Sequence, residues 1–219
     1  MDAFAGWPPE ALTFLEELEA DNDRAWFHAQ RPRYEAHVAG PARALGDALA
    51  DLGRPKVFRP FNDVRFHPGP PIKEHVGLVL RAPDGGMGVG YVQLSLDGLY
   101  VVAGLYQPAR DQLDRLRRAI DAPRTAASLA RALGTADVAG MELGEPELKR
   151  APRGYAMDHP RIDLLRHKRL TVGRLFALEP WLHTPEAGER IRAQLEATKP
   201  LVTWLRAHVG PSTLPTRTR

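Results

Sequence analysis

Apolar positions in the first fifty residues recur at helical spacing. Leu12, Leu15 and Leu18, flanked by Ala11 and Phe14, form a stripe over residues 9–20, and Pro8 and Pro9 suit a first helical turn, where no N–H is needed. Asp21-Asn22-Asp23 ends this helix and can cap the next, in which Trp26 and Phe27 begin a buried face. Pro32 is expected to break or kink that second helix. Val38, Leu45, Leu49 and Leu52 predict a third helix, beginning near Pro41 and ended by Gly53.

The period then drops to two. Val76, Leu78 and Leu80 alternate, Pro83-Asp84-Gly85-Gly86 turns, and Val92, Leu94 and Leu96 alternate again before Asp97-Gly98, a two-residue hairpin signal. Val101, Ala103 and Leu105 complete an antiparallel meander over 75–106, with one or two short strands expected at 57–66. Helical spacing returns with Leu113, Leu116 and Ile120 over 109–120, and with a segment opening at Pro123 and closing before Gly134. Asp158-His159-Pro160 reads as a helix start, with Ile162 and Leu165 facing inward, and a strand is expected near 169–176. Thr184-Pro185-Glu186 should cap a long final helix carrying Ile191, Leu195, Val202, Leu205 and Val209, kinked at Pro200 and followed by a disordered tail over 211–219. The expected fold is α+β: an antiparallel sheet from about 57–106 plus the strand near 169–176, flanked by N-terminal, middle and C-terminal helices in a single domain over 1–210.

The chain has 219 residues, of which 43% are hydrophobic, enough for a sizeable core. It has no cysteine, so disulfides, thiol catalysis and cysteine metal sites are excluded. The acidic N-terminal segment lacks the basic and apolar regions of a signal peptide, and no apolar run approaches the roughly 20 residues of a membrane helix. A cytoplasmic protein with no membrane partner is expected.

Charge changes the picture by its placement. The whole chain is only +3, yet residues 54–81 carry six basic and two acidic residues, and 149–174 carry eight and two. Of 30 Lys+Arg, only Lys56, Lys73, Lys149, Lys168 and Lys199 are lysine, and four of these five fall in the two basic segments. Lysine there supplies a compact, strongly hydrated point charge in a chain that otherwise uses arginine.

The first basic segment contains KVFRPFNDVRFHPGPPIKEHVG, the second ELKRAPRGYAMDHPRIDLLRHK. With the opening FLEELEADNDRAWF and the strand end AGLYQP, they resemble the bacterial family of unknown function DUF2461. Its motifs run FLxxLxxNNxxxWF, RDxRFSxDKxPYK, GGGxYxP and LKxxPxGYxxDHPxxxLLxxK, and all four occur here in order over about residues 12–180. The late motif is nearly complete, from Leu148 and Lys149 through Gly154, Tyr155, Asp158, His159 and Pro160 to Lys168; Gly104, Tyr106 and Pro108 match the strand end. In the central motif Asp63, Arg65, Phe66 and Lys73 match, whereas Asn62 replaces arginine, Ile72 replaces tyrosine, and the HPGPPIK loop is about one residue shorter. The resemblance implies the family's fold and names no activity.

The motif residues allow three readings. Arg65, Lys73, Lys149, Arg153 and Lys168 could converge on a phosphate or carboxylate, arginine binding it in a fork and lysine as a point charge. Asp63, expected on the same strand face as Arg65, could orient it, and the Tyr155 hydroxyl and His159 could touch the ligand. Alternatively the same charges form an internal ion-pair network in a structural or partner-binding domain, with Asp63 and Asp158 as counter-ions and Asp158 capping a helix that His159 packs against. As a third reading they form an exposed strip for nucleic acid, although no nucleic-acid motif is present. No metal is expected, since the eight histidines include no HExxH pattern, and no Walker, dinucleotide-binding or GxSxG motif appears. The sequence names no cofactor, no reaction and no oligomeric state.

Overall fold

The computed structural model describes residues 3–64, 69–82 and 88–215, with backbone alone at 88 and 89. Arg65, Phe66 and the expected turn at 83–86 lie outside the described residues. The fold is α+β, with a six-stranded antiparallel sheet in the order β1-β2-β3-β4-β6-β5. The strands are β1 (Arg54–Val57), β2 (His75–Arg81), β3 (Gly88–Ser95), β4 (Gly98–Leu105), β5 (Glu142–Leu143) and β6 (Leu170–Phe176). The helices are α1 (Pro9–Ala20), α2 (Arg24–Arg33), α3 (Gly40–Ala48), α4 (Arg110–Asp121), α5 (Pro123–Val138), α6 (Ile162–Leu165), α7 (Glu186–Ala197) and α8 (Lys199–His208).

The chain gathers into two compact units. The first holds, of the described residues, 3–64, 69–82, 90–101 and 175–193. Here Phe14, buried on α1, is the centre of an aromatic cluster, with ring centroids 5.5 Å from Trp26, 6.3 Å from Phe27 and 5.7 Å from Tyr34. Asp23 caps α2 as expected, accepting from the N–H groups of Ala25 at 2.7 Å and Trp26 at 3.1 Å. Pro32 does not end that helix. The chain continues through a π turn, Tyr34–Ala39, in which the Gly40 N–H reaches back to Glu35 O, and then enters α3. Among the described residues the expected strands at 57–66 reduce to β1, which lies earlier at 54–57 and pairs Pro55 with Leu80, and to a single bridge between Phe61 and Ile72. As a sheet edge, β1 tolerates a proline that a central strand would not. The hairpin is displaced by one residue. Leu96 and Asp97 form the turn, and Gly98 opens β4 at φ 137. No described residue other than glycine has positive φ, so this is not the turn with two left-handed residues that Asp97-Gly98 would have made.

The second unit holds, of the described residues, 88–89, 102–174 and 194–215. Helices α4, α5 and α8 pack together over Leu116, Ile120, Leu129, Leu201 and Leu205. The Trp204 indole N–H donates to Thr125 O at 2.9 Å. Helix α5 runs through Gly134 to Val138, since a glycine in an exposed helix interior costs only about 1 kcal/mol and the buried stripe continues to Ala136. The long final helix expected to kink at Pro200 is instead two helices, α7 and α8, divided at Thr198, with Pro200 in the first turn of α8. Asp158-His159-Pro160 does not begin a helix. The short α6 starts at Ile162 with no side-chain cap, and Asp158 is exposed. The described part of the C-terminal tail is tied to α4, where Asp111 accepts from the Ser212 hydroxyl and the Thr213 N–H, each at 2.8 Å. No helix among the described residues is long and apolar enough to cross a membrane.

Candidate functional site

Because β5 and β6 are antiparallel neighbours, residues 144–169 leave the sheet and return beside their starting point. Glu147 closes this excursion: its carboxylate accepts the Lys168 N–H at 2.6 Å and Arg169 Nε at 2.6 Å. Burial alone would raise the Glu147 carboxyl, but the hydrogen bonds from Lys168 and Arg169 outweigh it and hold the group below its usual range.

The far end of the excursion is fixed to α4. Arg161 Nε donates to Ile120 O at 2.7 Å and its Nη2 donates to Asp121 O. These are closing carbonyls of α4, which no further helical turn can satisfy. His159 Nδ1 accepts the Arg161 backbone N–H at 3.1 Å, so the ring proton sits on Nε2, which donates to the Asp121 carboxylate at 2.9 Å. Both nitrogens are engaged, and the imidazole orients the chain. The Tyr155 ring stands edge-on to it, with centroids 6.0 Å apart, and burial, followed by the Asp121 charge, raises the tyrosine hydroxyl above its ordinary range. Between the anchors the chain turns at Gly154, φ 92, where an added Cβ would meet nothing; glycine is required there by the backbone angle, not by space.

What this framework leaves open is a groove of about 510 Å³, lined by Arg117 of α4 and by Lys149, Arg150, Arg153 and Lys168, with Leu148, Ala151 and Pro152 between them. Five cations and no carboxylate line it. Among the described residues none of the five side chains forms an ion pair, and Arg117 Nε is buried without a hydrogen-bond partner.

Of the residues singled out in the sequence, Lys149, Arg153 and Lys168 line the groove, while Tyr155 and His159 belong to the same excursion. Asp63 lies in the first unit, exposed in a loop rather than on a strand, and Arg65 is outside the described residues. Lys73, also in the first unit, donates to Arg59 O at 2.8 Å and Phe61 O at 2.7 Å; burial, then the Arg59 charge, lowers its pKa. Its ammonium thereby clamps the backbone at Arg59 and Phe61, beside the Phe61–Ile72 bridge. Sequence reasoning passed over Arg150, which stands next to Lys149, and Arg117, which carries no local signal because it arrives from a helix about thirty residues earlier. It also passed over Asn22, whose amide donates to Ile72 O at 3.0 Å and accepts the Ile72 N–H at 3.0 Å.

The family model of the conserved hypothetical protein DUF2461 matches residues 10–204. The chain belongs to DUF2461. No curated protein and no solved structure matches it. In this DUF2461 member the motifs have distinct physical roles. The first supplies the aromatic cluster and Asn22, and the central one holds the Lys73 clamp. Gly104 of the strand end adopts φ 125, and an added Cβ there would lie 2.2 Å from Leu170 O. The late motif builds the anchored excursion around the basic groove.

Proposed function

We propose that this DUF2461 protein is a cytoplasmic binder of a small anion bearing phosphate or carboxylate groups, held in the groove of Arg117, Lys149, Arg150, Arg153 and Lys168. The observation that supports this is the gathering of five cations with no carboxylate in the lining, while two acids of the excursion are engaged elsewhere, Glu147 on Lys168 and Arg169 and Asp163 on Arg166. In such a site the arginines offer forks to phosphate oxygens and the lysines add point charges. A second reading, a structural or partner-binding domain with internal ion pairs, draws on the Glu147–Arg169 pair at 2.6 Å and the His159–Asp121 contact at 2.9 Å.

A thermal-shift and calorimetric screen with pyrophosphate, a phosphosugar, a dicarboxylate and a short oligonucleotide separates the readings. Lys149→Ala with Lys168→Ala removes two exposed charges, so the folded state should persist. Ligand stabilisation should grow as RT ln(1 + [L]/Kd) and vanish in the double variant. No response from any ligand, with the double variant strongly destabilised, would favour the internal network. Response to the oligonucleotide alone, with steep salt dependence, would indicate nucleic acid instead.

A further inference from the structure

The first unit contains a second groove, of about 730 Å³, between the π turn with α3 on one side and β1 with the residues after it on the other. Its volume is that of a small-molecule site. The floor is apolar, built from Tyr34, Val57, Phe58 and Leu78. Phe58 is 37% exposed, its ring 6.1 Å from that of Tyr91, and so presents a flat face that no other described aromatic ring covers. The charged groups of the wall are unequal. Glu35 is shared between Arg43 at 2.9 Å and Arg31 at 3.8 Å, while Lys56, Arg59 and the second carboxylate of the lining, Asp47, form no ion pair among the described residues, so cations outnumber acids two to one among these three. The π turn, a helical irregularity that often accompanies binding sites, contributes Glu35 and Ala39 to the lining besides Tyr34 of the floor.

We propose that this groove binds an amphipathic anion: a flat apolar body over Tyr34 and Phe58, with one carboxylate or phosphate head held by Lys56 and Arg59. The floor alone would accept any apolar molecule. The unpaired lysine and arginine at its edge select for negative charge at one end, and they disfavour a cation by like-charge repulsion. Of the two carboxylates in the lining, Glu35 is neutralised by its two arginines, and Asp47 is outnumbered by Lys56 and Arg59.

The test uses the intact protein and three isosteric probes, 2-naphthoate, uncharged 2-naphthamide and 2-naphthylmethylammonium, titrated calorimetrically at low salt. Saturable binding of naphthoate is expected, at least tenfold tighter than the amide, with no measurable ammonium binding. Lys56→Glu with Arg59→Glu should erase the preference for naphthoate over the amide. Phe58→Ala should weaken naphthoate and naphthamide alike, by about tenfold. Unchanged melting of each variant without ligand shows that the fold is kept. Equal affinity for acid and amide, or full naphthoate affinity in Phe58→Ala, would overturn the proposal. The Lys149→Ala/Lys168→Ala protein should bind naphthoate as wild type does, so the two grooves stand or fall separately.

Discussion

Asn22→Ala offers the sharpest test of how the first unit is held together. Asn22 sits between α1 and α2, fifty residues from its partner, and its amide pairs with both the N–H and the C=O of Ile72, each at 3.0 Å. It donates as well to Glu74 Oε1 at 2.8 Å. Only a side-chain amide presents a donor and an acceptor together in this way, so Asn22 acts as one rung of a β ladder. Ile72 is fully buried, so water cannot readily replace the lost partner. Two peptide groups left short of a bond, at about 1 kcal/mol or more each, give an expected loss of about 2–4 kcal/mol. For a chain of this size that is a fall in melting temperature of roughly 5–15 °C. Urea unfolding followed by far-UV circular dichroism would measure it, with the m-value unchanged. Asn22→Asp keeps the acceptor but sets a carboxylate against Glu74, and Glu74→Gln should recover part of that loss. A deficit below about 1 kcal/mol in Asn22→Ala would refute the reasoning, because it would mean that the Ile72 peptide groups find other partners.

Three further outcomes are expected. Burial lowers the pKa of both His75 and His167 from the ordinary 6.5, so below that pH each binds a proton more readily unfolded than folded. Their contribution is therefore present above pH 6.5 and is lost as the pH falls through the folded values; a plot of unfolding free energy against pH should decline on the acid side, and less steeply in His167→Gln. Gly104→Ala, with its Cβ 2.2 Å from Leu170 O and φ 125, should cost about 3 kcal/mol or more and appear as loss of soluble folded protein on expression. Glu147→Ala releases the Lys168 N–H and Arg169 and should lower stability by about 1–2 kcal/mol in denaturant titration, with faster amide exchange at Lys168.

The elements legible in the sequence are those whose burial follows a clean period: α1, α4, the meander and β6. Departures arose where tertiary structure overrode a local signal. Gly134 lies mid-helix because the apolar stripe continues past it. Asp158 resembles a cap, yet the chain there is anchored by Arg161 reaching the end of α4, a contact forty residues distant that no local pattern records. Leu96 entered the hairpin turn in place of Gly98 because Gly98 is needed in β4, where a Cβ would stand 2.2 Å from Phe176 O. At the groove, lysine placement and the family motif pointed to Lys149 and Lys168, but Arg117 becomes their neighbour only through folding. Lys73 was chosen for its charge, and what binds it is a pair of backbone carbonyls.

The π turn at Tyr34–Ala39 has a consequence for how this chain tolerates change in length. Its closing bond spans five residues where an α turn spans four, so the helical run from Arg24 to Ala48 contains one residue more than its path requires. A deletion inside an ordinary helix rotates everything beyond it by about 100° and turns the buried face outward. Here, loss of the exposed Ala36 would let the π turn relax to an α turn, leaving Phe27 upstream and Leu45 downstream on the core side. The segment thus has a spare position, a place where the gene can shed a codon without scrambling the interior.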